Sequence, residues 1–352
     1  MRIIQQHLES VTGSQRGDMI PLQPFIRSFA RLDRQKQEMM GDPAPFIEYL
    51  VADQEATGYF DYISTYPKPL PQFRDLNEAW TSLHQRWHML LKWVKAMHCG
   101  WVSGFPHDSK LEVQKKSLAY DFQLWESGLH ELGATMHDRS PREASIYKLL
   151  ECHVILADSV LETASSPLEM KWDDRVEQFQ RVVEACRVIT ESEMAGAVTF
   201  PLASPPQILV KGRYAPDLAD SATTSTMKPK SPLTFDMGVC MILLHVVNKC
   251  RDARVRYDAI RLLEEHPRLE GVWDSLIIAQ VGRAIDDVER NGASLEEASA
   301  RGAPAAEIPS DQRVVMTKAV LSDKVRSADL LLMRATTEGE SDTTWLRRAL
   351  TW

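Results

Sequence analysis

Apolar residues recur three and four positions apart along most of this chain, a spacing typical of helices that bury one face. In residues 140–157, Ser140 and Glu143 have the spacing of a capping box, and Pro141 occupies the first helical position. The apolar face that follows contains Ile146, Leu149, Leu150, His153, Val154 and Ala157. Because similar stripes dominate the chain, we expect an all-α fold.

A second capping box, Asp75 with Glu78, predicts a helix whose stripe is rich in large aromatic residues. The stripe contains Leu76, Trp80, Leu83, Trp87, Leu90, Leu91 and Val94. Gly100 predicts where this helix ends. The same spacing predicts further helices over residues 45–54, 111–132 and 175–190.

Residues 234–249 contain the stretch "MGVCMILLHVV", which is apolar on every side of a helix and predicts a buried central element. The next helix has its apolar face at Val255, Ala259, Leu262 and Leu263 and is predicted to end at Pro267. Another regular stripe runs over residues 273–288, closed by residues 291–292, so the two form an αα-hairpin. The expected architecture is an irregular multi-helix bundle around the central helix.

Residues 66–73, 200–232 and 291–310 are predicted to be loops or linkers. Near the C-terminus, β-branched residues on both sides of residues 322–324 favour a small β-hairpin, with a helix as the alternative. We therefore predict one domain over 1–352. Its parts are N-terminal helices (1–65), a helical bundle (66–199), a long loop (200–232), a pair of helices (233–292), and a linker with the hairpin (293–352).

Charge and cysteine content narrow the class of protein. The chain carries 41 lysines and arginines against 49 aspartates and glutamates, a net charge of -8, which disfavours direct nucleic-acid binding. Its five cysteines are widely spaced without a C-x-x-C pair, so we expect reduced thiols and no metal site. No apolar run approaches the length of a membrane span. These features predict an intracellular protein without a cofactor or a membrane partner.

Four residues are candidates for a ligand pocket. His84 lies among Trp80 and Trp87 on one helix, and the two tryptophans either line an apolar pocket or pack in the core. His84 and His88 have a spacing that zinc ligands use, but no third ligand is evident. His245 is the single titratable side chain between residues 236 and 249, so it either faces a cavity or is a core histidine.

Two acidic clusters invite a metal-site interpretation. Asp173, Asp174 and Glu177 have the spacing of an aspartate-rich magnesium motif, yet acids in the first turn of a helix are favoured by its dipole alone. Asp286, Asp287 and Glu289 are predicted to lie on the solvated face of their helix. No nucleophile motif or phosphate loop is present, so no catalytic residue is assigned and an enzyme is not favoured.

The stretch "FDMGVCMILLHVVNKCRDARVRYDAIRLLEEHPRLEGVWDS", residues 235–275, resembles the regulatory region of fungal binuclear zinc-cluster transcription factors. Looser matches occur at residues 25–35 and 73–83 and at the C-terminal end. The resemblance assigns structural roles to Asp236, Gly238, Lys249, Arg251, Arg256, Arg268, Glu270, Gly271 and Trp273. We expect the arginines of this stretch to lie at a helix surface and to pair with acids of the same stretch.

The resemblance implies a transcription-factor-like regulator. The cysteine-rich zinc cluster of that family is missing from this sequence, so we expect action through a protein partner or a sensed metabolite rather than through DNA. The alternative is a small-molecule-binding enzyme of fungal secondary metabolism, of a cyclising or pericyclic type, built on the same scaffold. Oligomerisation stays open.

Overall fold

The computed structural model describes residues 70–102, 109–164, 166, 168–194, 233–234, 238–270, 273–321, 327–334 and 345–351. Helices hold 73% of the interpretable residues, so the predominantly helical character is confirmed. The predicted helix over 45–54, the loop over 200–232, Asp236 and Gly271 lie outside the described residues.

The first four α-helices that the structure describes pack in sequence order, each against the next. They are α1 (Leu76–Val102), α2 (Ser109–Thr135), α3 (Pro141–Thr163) and α4 (Val176–Met194), and a 3-10 helix (Glu169–Arg175) precedes α4. The Trp93 Nε1–H on α1 donates to the carbonyl of Leu111 on α2 at 2.9 Å. This buried indole thus links α1 to α2.

The starts of α1 and α3 test the two predicted capping boxes. Ser140 and Glu143 form the complete box. At α1 the Asp75 carboxylate accepts from the Glu78 N–H at 2.8 Å, but the Glu78 carboxylate accepts from Arg74 N–H instead of returning to Asp75. The predicted end of α1 at Gly100 was wrong, because the helix continues through it to Val102.

The second half of the fold contains α5 (Val239–Lys249), α6 (Ala253–Glu265), α7 (Ser275–Glu289) and α8 (Leu295–Ala300). Helix α5 contacts α3, α4, α6 and α7. It begins five residues later than predicted, since Thr234 belongs to a short strand. Its surface is also less completely buried than predicted, because Met241, Leu244 and His245 keep part of their exposure.

Two small sheets accompany the helices. In the first, β1 (Leu233–Thr234) pairs in parallel with β2 (Leu269–Glu270), and β2 pairs antiparallel with β3 (Trp273–Asp274). In the second, β4 (Val314–Leu321), β5 (Ser327–Arg334) and β6 (Trp345–Thr351) form an antiparallel sheet in that order. The predicted hairpin is therefore confirmed as β4 and β5, and β6 is a third strand that the sequence did not indicate.

One face of the C-terminal sheet packs on helix α7. Ala328, Leu330 and Leu332 of β5 are buried, in a cluster with residues of α7 that contains Val281, Ile285 and Val288. The run "LLLM" in β5 lacks the alternation of a half-buried strand because its other face is also only partly exposed. Packing against α7 thus attaches the C-terminal sheet to the helices.

The end of α7 follows the prediction, whereas the segment after it does not. Asn291 and Gly292 have positive φ values of 51° and 79°, as expected for a helix C-terminus. Residues 291–310 were predicted to be a linker, but they contain α8, whose first turn is capped by the Ser294 hydroxyl, and two 3-10 turns. The abundant small residues hid these short elements. Among the described residues, none of the helices combines the length and apolarity that a membrane span requires.

Candidate functional site: a buried ion-pair network

Two arginines, one just before α6 and one in its first turn, lie inside the protein, whereas Arg254 between them is exposed as predicted. Arg251 and Arg256 have no exposed surface, so the prediction that they lie at a helix surface was wrong. An exposed pair of the expected kind does occur one turn further on, between Arg261 and Glu265. A buried guanidinium is stable only where acceptors surround it, so its partners define the site.

Arg251 is held by acceptors from three separate parts of the chain. Its Nε lies 3.1 Å from Glu289 Oε1 on α7, and its Nη2 lies 2.8 Å from Glu169 Oε2 on the 3-10 helix. The same guanidinium donates to the carbonyls of Val314 on β4 and of Lys249, at 2.8 and 2.9 Å. A single side chain therefore joins α7, the 3-10 helix and the C-terminal sheet.

Arg256 continues the network one turn along α6. Its Nη2 lies 2.8 Å from Glu289 Oε2, and its Nη1 lies 2.9 Å from Asp286 Oδ1. Asp286 also receives a hydrogen bond from Arg290 Nε at 2.9 Å. The prediction that Asp286 and Glu289 face solvent was wrong, whereas their neighbour Asp287 is exposed.

The 3-10 helix supplies the remaining carboxylates. Lys249 Nζ lies 2.7 Å from Glu169 Oε1, and Arg313, fully buried at the start of β4, makes a bidentate pair with Asp173 at 2.7 Å for both bonds. Asp173, considered above as a metal ligand, is thus the partner of an arginine. Within the part of the chain that the structure describes, no group of three or more His, Cys, Asp and Glu side chains could hold a metal ion.

The network contains five cationic side chains and four carboxylates. Main-chain carbonyls accept further hydrogen bonds from the arginines. The cations are Lys249, Arg251, Arg256, Arg290 and Arg313. The carboxylates are Glu169, Asp173, Asp286 and Glu289. Burial alone would raise the pKa of Glu289, but the charges of Arg256 and Arg251 outweigh it and hold that pKa below its ordinary value. The Glu289 carboxylate is therefore ionised in the fold.

A second buried ion-pair site fixes the beginning of α5. Arg268 contacts Glu193 of α4 through Nη2 and lies 3.3 Å from Glu270 Oε1 through Nη1. The Glu270 carboxylate also accepts hydrogen bonds from the N–H groups of Gly238 and Cys240, at 3.0 and 2.8 Å. Because Gly238 offers no side chain to cap α5, a carboxylate from β2 caps it instead.

The Glu270 carboxylate lies so close to the backbone of residue 238 that a glycine is favoured there. A Cβ added to it would lie 2.5 Å from Glu270 Oε1, well inside contact distance. Burial raises the pKa of Glu270, against the opposing charge of Arg268. Nearby, Trp273 is buried just before Asp274, whose carboxylate caps α7.

The four predicted ligand-pocket residues fall into two groups. Trp80, His84 and Trp87 lie on α1, and the rings of both tryptophans are 5.7 Å from the imidazole of His153 on α3. His245 lies instead 5.3 Å from the Trp172 ring and 6.4 Å from Phe179. Sequence reasoning placed His153 on the apolar face of α3 but did not indicate this aromatic contact.

The environment of His245 favours a neutral imidazole. Its Nε2 is buried without a hydrogen-bond partner among the described residues, although the residue as a whole is half-buried. Burial lowers the pKa of His245 to about 3, and the charge of Lys249 one turn away acts in the same direction.

A cleft lies elsewhere, at the N-terminal ends of α1 and α3. Its volume is about 520 Å³, and its lining includes Arg74, Leu76, Met136 and Ile146. A tighter gap between α5 and α6, next to His266, has essentially no room for a water molecule. None of the four ligand-pocket candidates lines either space.

Comparisons with known proteins add no assignment. No family model matches the chain, and neither the curated proteins nor the solved structures contain a match.

Proposed function

We propose that this protein is a regulatory module that takes part in transcriptional control through contacts with another protein, without binding DNA itself. On this proposal the helices form an irregular bundle around α5, and the protein acts in the nucleus or the cytoplasm. The resemblance of residues 235–275 to fungal regulatory regions supplies the class.

One observation carries the proposal. Every basic residue to which the resemblance assigns a role is engaged inside the fold: Lys249, Arg251, Arg256 and Arg268. A residue whose charge is neutralised by buried carboxylates cannot also neutralise phosphates at the surface. The basic stretch is therefore a scaffold, and the net charge of -8 adds repulsion to any nucleic acid.

The enzyme alternative lacks a comparable observation. His245 and the Trp80 group, which suggested a pocket, have separate aromatic neighbours and do not line the cleft at the N-terminal ends of α1 and α3. A scaffold that presents its surface to a partner accounts for the same residues without a substrate.

The test is to delete the gene in its host and to profile transcripts and metabolites together. We expect coordinated loss of a set of transcripts, restored by the complete chain. Unchanged transcripts with an accumulating small-molecule intermediate would contradict regulation and favour the enzyme.

A second measurement addresses DNA. Fluorescence anisotropy of labelled duplex DNA with the purified chain should show no saturable binding at physiological salt. Saturable binding that weakens steeply with added salt would refute the proposed absence of a DNA-binding role.

A further inference from the structure

The cleft at the N-terminal ends of α1 and α3 has a lining of mixed polarity. In its apolar part, Leu76 and Leu132 are buried, and Met136 and Ile146 are half-buried. Its volume of about 520 Å³ lies within the range of about 300–1,000 Å³ that is typical of small-molecule sites, which combine an apolar lining with a few polar groups. The cleft therefore has the size and the apolar surface of a small-molecule site.

Helix ends of opposite polarity meet at this cleft. Leu76 begins α1 and Arg142 lies in the first turn of α3, whereas Thr135 ends α2. The N-terminal end of a helix carries a partial positive charge, and the C-terminal end carries a partial negative charge. The backbone therefore offers both signs of charge to a ligand in the cleft.

The charged side chains of the lining are equal in number for the two signs. They are Arg74 and Arg142 on one side, and Asp75 and Glu143 on the other. Arg74 Nε is paired with Glu78 Oε2 at 3.0 Å, whereas Arg142 is exposed and forms no hydrogen bond or ion pair with the residues that the structure describes. Arg142 is therefore the guanidinium of the lining that is available to a ligand.

Each acid of the lining uses one oxygen at a helix start and keeps the other. Asp75 Oδ1 accepts the Glu78 N–H at 2.8 Å, and Glu143 Oε2 accepts the N–H and the hydroxyl of Ser140 at 2.9 and 2.7 Å. The hydrogen bonds from Ser140 lower the pKa of Glu143, so this carboxylate is charged at neutral pH. Within the described residues, Asp75 Oδ2 and Glu143 Oε1 accept no hydrogen bond, which leaves them as acceptors for a cation.

We propose that this cleft binds the zwitterion of an apolar α-amino acid. Arg142 binds its carboxylate, and Glu143 Oε1 and Asp75 Oδ2 bind its ammonium group. Met136 and Ile146 contact its side chain. This inference goes beyond the proposed function and does not rest on it, because ligand binding is measured on the purified chain whether or not the protein regulates transcripts.

Other ligand classes leave part of the lining without a partner. A carboxylate without an ammonium group pairs with Arg142 but adds negative charge beside Asp75 and Glu143. An amine without a carboxylate pairs with those acids but leaves Arg142 without a partner. A zwitterion matches a lining in which charges of both signs balance beside an apolar surface.

The test is isothermal titration calorimetry of L-phenylalanine into the full chain. The control ligands phenylpropionate, phenethylamine and glycine lack the ammonium group, the carboxylate and the apolar side chain, respectively. We expect saturable binding of L-phenylalanine that is at least about tenfold tighter than binding of each control ligand. The proposal is overturned if L-phenylalanine shows no saturable binding up to roughly 10 mM, or if any control ligand binds equally well.

Two variants separate the charged contacts. Arg142→Gln should weaken binding of L-phenylalanine about tenfold but not binding of phenethylamine. Glu143→Gln retains the capping box, which glutamine also forms, and should weaken binding of L-phenylalanine about fivefold but not binding of phenylpropionate.

Arg181→Gln is the matched control for Arg142→Gln, because it makes the same charge change at an exposed position on α4 and should leave binding unchanged. Circular dichroism and urea unfolding establish that each variant is folded. Equal affinity of the wild type, Arg142→Gln and Glu143→Gln for L-phenylalanine would also overturn the proposal.

Discussion

Arg251 and Glu289 are both fully buried, and Arg251 Nε lies 3.1 Å from Glu289 Oε1, across a sequence separation of 38 residues. The pair connects the turn after α5 with the end of α7. The same Glu289 oxygen accepts the Val314 N–H at 2.8 Å, so the pair also fixes the start of the C-terminal sheet. A change at either residue therefore disturbs the packing of α7 and the start of the C-terminal sheet together.

Arg251→Met should destabilise the protein by about 3 kcal/mol, because removing one partner of a buried ion pair leaves carboxylates without compensation. The measurement is urea unfolding followed by circular dichroism. Arg261→Met is the matched control, since Arg261 forms an exposed ion pair with Glu265, one helical turn further along α6. This variant should change the free energy of unfolding by no more than about 0.5 kcal/mol. Similar losses in the two variants would show that burial of Arg251 is not what matters.

Gly238→Ala should destabilise the protein by about 1–3 kcal/mol, since the new Cβ would press on the Glu270 carboxylate. Glu270→Ala should itself be costly, because α5 loses its cap and Arg268 loses a partner. In the double variant the collision is absent, so its destabilisation should fall at least about 0.5 kcal/mol short of the two single effects added together. Strict additivity in this double-mutant cycle would argue against the close contact.

His245 predicts a pH dependence of stability. In the fold its pKa is lowered from 6.5 to about 3 by burial, so the unfolded chain takes up a proton at a higher pH than the folded one does. The contribution of the neutral His245 imidazole to the free energy of unfolding is fully present above about pH 6.5. It is lost as pH falls towards 3, by at most about 1.4 kcal/mol for each pH unit.

The measurement is the free energy of unfolding of the wild type and of His245→Phe in a series of buffers between about pH 7 and about pH 4. The phenylalanine keeps a ring beside Trp172 and should flatten the profile relative to wild type. His130→Phe replaces an exposed histidine and should leave the profile unchanged. Parallel profiles for wild type and His245→Phe would contradict the buried, neutral imidazole.

Leu332→Ala should cost about 2–5 kcal/mol, because Leu332 is fully buried between β5 and α7. Leu331→Ala, one position away on the other face of the strand, should cost distinctly less since that residue is only partly buried. Thermal or urea unfolding of the two variants measures the difference. A larger loss for Leu331→Ala would mean that the strand has the opposite register.

Local sequence patterns predicted the elements that are formed by residues close together in the chain. The Ser140–Glu143 box, the Asn291–Gly292 end of α7 and the β4–β5 hairpin were all predicted from neighbouring residues, and the structure has each of them. In each case the interacting groups lie within a few residues or in adjacent strands. The missed elements, α8 and β6, are short and are stabilised by what packs on them, such as α6 on α8 and α7 on β6.

The sequence by itself determined the helical class, most helix positions and the identity of the charged residues in the 249–275 stretch. Only the tertiary structure decided where those charges point. Helical spacing places Arg256 beside its neighbours on α6, but its carboxylates come from α7, 30 residues away for Asp286. A buried ion pair has no sequence signature, because its two partners meet only when separate helices pack. That packing places Arg251 and Arg256, which the sequence alone assigned to a helix surface, in the interior.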